Sequence, residues 1–194
     1  MHCVVLDFSP GESGRRPMTK VKSEFFCIDL FEEVSPSADS IELHFPKMVE
    51  GLGFGLGEVL APRFPELFAE LTGGEDLVES ALHLVGDEKM RELNGRYRHK
   101  ETTTDVLSFP VHDNLLQNPP PWPSPLALGD IVISVPVAKK QAKIHARTLL
   151  EEITNLFVHG FLHLLGFDHE RKDDEGVMLS LEEEIIKIIS QKGE

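Results

Sequence analysis

The stretch His159-Gly160-Phe161-Leu162-His163-Leu164-Leu165-Gly166-Phe167-Asp168-His169 carries three imidazoles at intervals of four and six residues around a glycine. On a helix, residues four apart share a face with Cβ atoms about 6 Å apart, so both rings can reach one ion at roughly 2.0 to 2.1 Å. Gly166 follows the last apolar helical positions. A glycine there adopts the left-handed conformation that other residues resist, and the turn it makes can bring His169 over the first two rings. Three histidines leave a fourth position open, the mark of a catalytic zinc site, whereas structural sites are closed by four protein ligands. A lone histidine on an apolar helix is usually a satisfied core residue. Here three of nine histidines fall within eleven positions, among Phe157, Val158, Phe161, Leu162, Leu164 and Leu165, where unpaired polar groups cost stability. Imidazoles without thiolates suit zinc first, with nickel, copper and iron also admitted.

The spacing matches the metzincin protease pattern of histidine pair, glycine and third histidine, except that Gly160 stands where those proteases carry glutamate. That glutamate takes the proton from zinc-bound water and passes it to the leaving amine. Glycine does neither, so peptide hydrolysis is disfavoured.

Working outward, Thr148-x-x-Glu151 forms a capping box that starts the histidine helix. The helix is polar at Glu151, Glu152 and Asn155 and then apolar nearly all round, which predicts burial of its second half. A final amphipathic helix over 174–190 places Val177, Leu181, Ile185, Ile188 and Ile189 on one stripe against it. Upstream, alternation predicts strands at Ile41–Phe45, Ala81–Val85, Asp105–Val111 and Asp130–Val135, with helices over Pro62–Leu71 and Asp87–Arg96. Gly51, Gly53, Gly55 and Gly57 read as a loop; they lack the Gly-x-Gly-x-x-Gly spacing of a dinucleotide fingerprint. Residues 118–125 hold five prolines around Trp122 and read as an exposed surface loop, a variable insertion in preference to a flap that stacks Trp122 on bases. Residues 1–38, with scattered Pro, Gly and charges, read as an N-terminal extension of flexible composition ahead of one domain over 39–194. Cys3 and Cys27 form no Cys-x-x-Cys pair and read as free thiols of a reducing compartment. No apolar run is long enough to span a bilayer and no basic-then-apolar leader is present, so a cytoplasmic protein without membrane contact is expected.

The histidine run reads as His-Gly-x-Leu-His-Leu-x-Gly-x-Asp-His and resembles the signature of the YbeY family, bacterial metal-dependent endoribonucleases of ribosomal RNA maturation. Leu93-Asn94-Gly95-Arg96-Tyr97-Arg98, Thr104-Asp105-Val106-Leu107-Ser108-Phe109-Pro110 and Leu128-Gly129-Asp130-Ile131-Val132-Ile133 are similar to further blocks of that family, in its order. The resemblance covers roughly residues 39–190. It implies a single α+β domain with a small mixed sheet of about four strands packed with helices, zincin-like, with one zinc ion on a central helix. His159, His163 and His169 would be its ligands. The implied activity is cleavage of single-stranded RNA in ribosomal RNA processing, at the 3′ end of the small-subunit RNA, and in ribosome quality control. The small ribosomal subunit and its assembly factors would be partners.

Arg98 matches an arginine that this family carries in its cleft. A planar guanidinium binds a phosphate bidentately and stabilises charge growing in a phosphoryl transition state, while a structural salt bridge is the competing role. Asp168 is suited to accept the second ring N–H of a ligating histidine, or to cap a backbone amide. A formal charge of −14 opposes nucleic-acid binding, yet residues 96–147 carry seven basic and four acidic side chains. Arg96, Lys100, Lys139, Lys140 and Lys143 are therefore candidate RNA contacts. The solvated face of a helix explains the 139–147 cluster equally well. Two other classes share the histidine site: a zinc metalloprotease-like hydrolase with a replacement base, and a non-catalytic ribosome-assembly factor braced by structural zinc.

Overall fold

The computed structural model describes residues 19–22, 26–32, 41–72, 78–112, 115–116, 126–168 and 172–192. In chain order they form strands β1 (Thr19–Lys22) and β2 (Phe26–Glu32), helices α1 (Ile41–Arg63) and α2 (Pro65–Thr72), strand β3 (Val78–Val85) and helix α3 (Asp87–Arg98). Strands β4 (Val106–Pro110) and β5 (Ala127–Ser134) follow, then helices α4 (Val135–Ile144), α5 (Leu149–Leu164) and α6 (Lys172–Lys192). The strands make one mixed sheet in the order β1-β2-β3-β5-β4, with β2, β3 and β5 mutually parallel and β1 and β4 antiparallel at its edges. The α+β class expected from the sequence is the one that forms, with five strands among the described residues rather than about four.

Successive strand residues face opposite sides, and each side of this sheet has its own core. Ile28 and Leu30 of β2, Leu82 and Leu84 of β3, and Ile131 and Ile133 of β5 join the larger core, completed by Phe45 and Leu52 of α1, Phe157 and Phe161 of α5, and Leu181 and Ile185 of α6. On the reverse side Val85, Leu107, Phe109 and Val132 meet Met90 and Leu93 of α3. Helix α5 is thus enclosed between the sheet and the other helices. Each fully buried Leu or Phe along it contributes about 1.5 to 3 kcal/mol relative to exposure.

Three expectations are corrected here. Ile41–Phe45, read as a strand, is the first turn of α1, and the glycines read as a loop lie inside that helix. Five alternating residues fit either element. What decides is the buried series Met48, Val49, Leu52, Leu56, Val59 and Leu60, whose spacing is helical. Gly51 and Gly55 are where α6 crosses: a Cβ on either would come 3.2 Å from Ile189 Cγ1 or Ile185 Cγ2 respectively. Helix propensity penalises these glycines, and helix packing requires them. Second, residues 19–22 and 26–32, read as part of an extension, pair into the sheet, β2 running parallel to β3 along its whole length. β1 pairs with β2, whose other partner, β3, is distant in the chain and beyond the reach of local pattern. Third, on α6 it is Met178 that is buried, at 1%, while Val177 is 44% exposed. The proline-rich run 118–125 with Trp122, Cys3, and residues 1–18 lie outside the described residues.

The Thr-Asp-Val and Gly-Asp-Ile blocks are joints of this fold. Asp105 Oδ1 accepts from Thr104 Oγ1 at 3.0 Å and from the Val106 amide at 2.9 Å, while Oδ2 accepts from Gln141 Nε2 of α4 at 2.9 Å. Burial pushes this carboxyl up, but those hydrogen bonds outweigh it and hold the group below its ordinary value of 3.8. Asp130 Oδ1 lies 2.9 Å from His83 Nε2 on β3. Gly129 has φ +131°, and a Cβ there would stand 2.1 Å from the Phe109 carbonyl oxygen on β4.

Gly129→Ala should cost about 3 kcal/mol or more in urea unfolding, because it combines a disallowed backbone with a backbone collision. Gly176→Ala, in α6 with nothing within 4 Å of the added carbon, should instead gain about 0.5 to 1 kcal/mol. Because the Asp105 pKa is depressed on folding, its stabilisation is present above the unfolded value and is lost as pH falls through the folded one. Asp105→Asn should accordingly cost about 1 to 2 kcal/mol at neutral pH, and the gap to the parent protein should close in acid below the ordinary carboxylate range.

Candidate metal centre

Helix α5 begins with the expected capping box. Thr148 Oγ1 accepts from the Glu151 amide at 3.2 Å, and Glu151 Oε2 accepts from the Thr148 amide at 2.7 Å. The helix ends as Gly166 predicts, at φ +95°. The Gly166 amide bonds to the His163 carbonyl at 3.0 Å and the Phe167 amide to the Leu162 carbonyl at 3.1 Å, the paired bonds of a Schellman turn. Phe167 folds back into the core.

That turn does more than end the helix. His163 Nδ1 lies 2.9 Å from the Phe167 carbonyl oxygen. A carbonyl only accepts, so Nδ1 carries the ring proton and the neutral ring presents a lone pair at Nε2. His159 is held in the same way by a different group: its Nδ1 lies 2.6 Å from Glu182 Oε1 of α6. A carboxylate also accepts, and Nε2 is again the lone-pair atom. The two Nε2 atoms then face each other at 3.1 Å, with the ring planes at 80°. Two lone pairs at that separation repel unless a proton or a metal ion is shared between them. Two imidazoles bound to one tetrahedral zinc at about 2.05 Å would hold their nitrogens about 3.3 Å apart, so the donor set fits such an ion.

Among the described residues no third His, Cys, Asp or Glu joins this pair in a group able to hold a metal, and His169, the third ligand expected, lies outside them. Asp168 is exposed, and a carboxylate that the sequence did not single out, Glu182, is seated against the His159 ring. A signal was present. Met178, Leu181 and Ile185 are buried at helical spacing, and Glu182 sits on the same stripe, a charged residue among apolar positions.

Gly160 acquires a steric meaning. A Cβ there would stand 2.8 Å from Ile131 Cγ2 and 3.0 Å from Ser108 Oγ, and the Ser108 hydroxyl donates to the Gly160 carbonyl at 3.1 Å. Position 160 faces the sheet at contact distance, so an acidic side chain there would have to displace the Ile131 and Ser108 side chains. Arg96 and Arg98 occupy the exposed last turn of α3, with Lys100 just beyond, and Arg98 has no ion pair among the described residues. Lys139, Lys140 and Lys143 are exposed on α4, which packs beside α3; Lys140 Nζ lies 3.8 Å from Asp87 Oδ2. Nearby, Arg147 and His145 are taken up by the buried carboxylate of Glu152, at 3.3 and 3.2 Å. The structure brings His159 and His163 together with Glu182, and sets the basic residues on two neighbouring helices.

Gly160→Ala should cost about 1 to 3 kcal/mol in chemical unfolding, since the added methyl meets packed sheet atoms. A change below about 0.5 kcal/mol would show that α5 and the sheet are less tightly apposed than this contact requires.

A family model described as endoribonuclease YbeY matches residues 61–190. Endoribonuclease YbeY of Myxococcus xanthus is 48% identical over 117 residues, covering 60% of this chain and 37% of the relative. Its namesake in Persephonella marina is 46% identical over 115 residues, covering 59% and 72%, and that of Leptospira interrogans 44% over 123 residues, covering 57% and 86%. The chain therefore matches little more than a third of the Myxococcus protein's own length. Among solved structures, TM1509 of Thermotoga maritima superposes with a TM-score of 0.50 at 22% identity, covering 84% of this chain and 88% of that one, which is a likeness of fold. No helix among the described residues is long and apolar enough to cross a membrane.

Proposed function

The chain belongs to the endoribonuclease YbeY family, a family of RNA-cleaving hydrolases, and on that premise we propose that it is a zinc-dependent endoribonuclease of single-stranded RNA. Its role in this reading is ribosomal RNA processing in the cytoplasm, at the 3′ end of the small-subunit RNA and in ribosome quality control, in company with the small subunit and its assembly factors. One observation carries the metal assignment: the 3.1 Å approach of two Nε2 atoms whose rings have both committed Nδ1 to acceptors.

His159 and His163 would hold the zinc with His169, leaving one position open. When bound, zinc polarises a phosphodiester oxygen and lowers the pKa of water toward ~7. Arg98, exposed and without an ion pair among the described residues, is available to bind a phosphate bidentately and to stabilise the anion that develops at phosphorus. Arg96, Lys100, Lys139, Lys140 and Lys143 would steer the strand by phosphate contacts that carry no base preference. Gly160 offers no general base, and its contact with Ile131 and Ser108 leaves no room for one. A peptidase using that helix position is disfavoured on the same ground, and the attacking hydroxyl must lose its proton elsewhere.

Purified protein offered single-stranded RNA and an unfolded protein should cleave the RNA alone. Chelator and His163→Ala should each abolish that cleavage, and Arg98→Ala should lower turnover about 10²- to 10³-fold, with Arg98→Lys recovering only part. RNA cleavage untouched by chelator and by His163→Ala would overturn the assignment. Chelator-sensitive proteolysis would make the chain a peptidase, and zinc-dependent folding with neither activity would make it an assembly factor.

A further inference from the structure

The two histidine rings are oriented by supports of different kinds. His163 is held by the Phe167 carbonyl, an atom of its own helix's terminal turn. His159 is held by Glu182, twenty-three residues away on another helix. Resting on the metal reading above, we infer that Glu182 is a positioning residue of the metal centre: its carboxylate holds His159 in the tautomer that presents Nε2, and so ties metal affinity to the seating of α6.

Glu182 meets the geometric requirement. Its 2.6 Å contact is in the range of a charge-assisted hydrogen bond, and it reaches the ring on the Nδ1 side, away from the Nε2 atom that faces His163. From there it is no ligand to the same ion and stands behind the ring from the open position. Its task is to fix ring orientation and to raise the basicity of the opposite nitrogen.

The carboxylate is placed by packing. Leu181 and Ile185, one residue before and three after, are buried in the main core, as is Met178 four before. Ile185 and Ile189 lie on the bare backbone of α1 at Gly55 and Gly51, and Arg63 Nη2 of α1 clips Glu184 Oε1 at 2.7 Å. A one-residue slip of α6 turns its side chains by about 100° and removes Glu182 from His159. Contacts of α1 with α6 therefore determine whether a ligand on α5 is aimed. By linkage the converse holds: an ion on His159 and His163 strengthens the Glu182 bond and the docking of α6 by the same factor.

The test measures zinc affinity directly, by competition with a chromophoric chelator, on the full chain and on Glu182→Ala, Glu182→Gln and the exposed neighbour Glu183→Gln. Glu182→Ala should weaken zinc about 10- to 100-fold, Glu182→Gln should recover part of that loss as an isosteric acceptor without charge, and Glu183→Gln should change nothing. Zinc should slow amide exchange along α6 in the parent protein and much less in Glu182→Ala, an effect that a residue serving stability alone would not produce. If Glu182→Ala fails to fold, the isosteric Glu182→Gln carries the measurement. Affinities for both variants within about two-fold of the parent, with zinc still slowing α6 exchange in them, would overturn the role of Glu182 and leave the metal centre standing. A parent protein that binds no zinc would overturn the centre itself, and this inference with it.

Discussion

Helix α5 lies directly against the sheet at Gly160, where a single added methyl group would collide with Ile131 and Ser108. Much else depends on that contact. It brings the helix backbone down onto β4 and β5, buries Phe157 and Phe161 on the same side, and leaves His159 and His163, one residue before and three after, turned away from the strands. A helix so enclosed has little polar surface left. The imidazoles occupy the limited sector where α6 and the terminal turn can reach them. In such surroundings a polar ring needs a partner for each nitrogen, and the partners available decide its chemistry.

Those partners convert a helical spacing into a binding geometry. Residues four apart on a helix are merely neighbours, and an imidazole can rotate or exchange tautomers. Here both Nδ1 atoms are occupied by acceptors, one from the Gly166 turn and one from α6, so both Nε2 atoms are aimed at one point. The Schellman turn thus has two duties, satisfying helix carbonyls and orienting a ligand, and a substitution at Gly166 would disturb both. On the other side of the sheet, the joints at Asp105 and Gly129 hold β4 and β5 in the register that presents Ser108 and Ile131 to α5.

Elements whose evidence is local were legible in the chain. The capping box at Thr148, the turn at Gly166, strand β3, helix α3 and the central strand β5 each announce themselves by spacing within a few residues, and each is found within a few residues of its expected place. Helix α1 was not legible, because Gly51, Gly53, Gly55 and Gly57 signal a loop to any local rule; two of them are instead the surface on which α6 rests. The strands drawn from residues 19–32 escaped for a related reason. β2 is rich in apolar residues, but it becomes an interior strand by pairing with β3, far along the chain, and β1 is added on its other edge.

By itself the sequence determined the pair of imidazoles on one helix face, the glycine that ends that helix, and the α+β class, because helical periodicity, capping and alternation act over a handful of residues. It also settled, by the order of its motif blocks, which family the chain belongs to. Only the tertiary structure decided that Gly160 is a packing contact as well as an absent base, and that Glu182 sits behind a ligand ring. Both facts depend on how α5 lies against the sheet and α6 against α1. Such contacts join residues tens of positions apart, and side-chain packing between whole elements selects them.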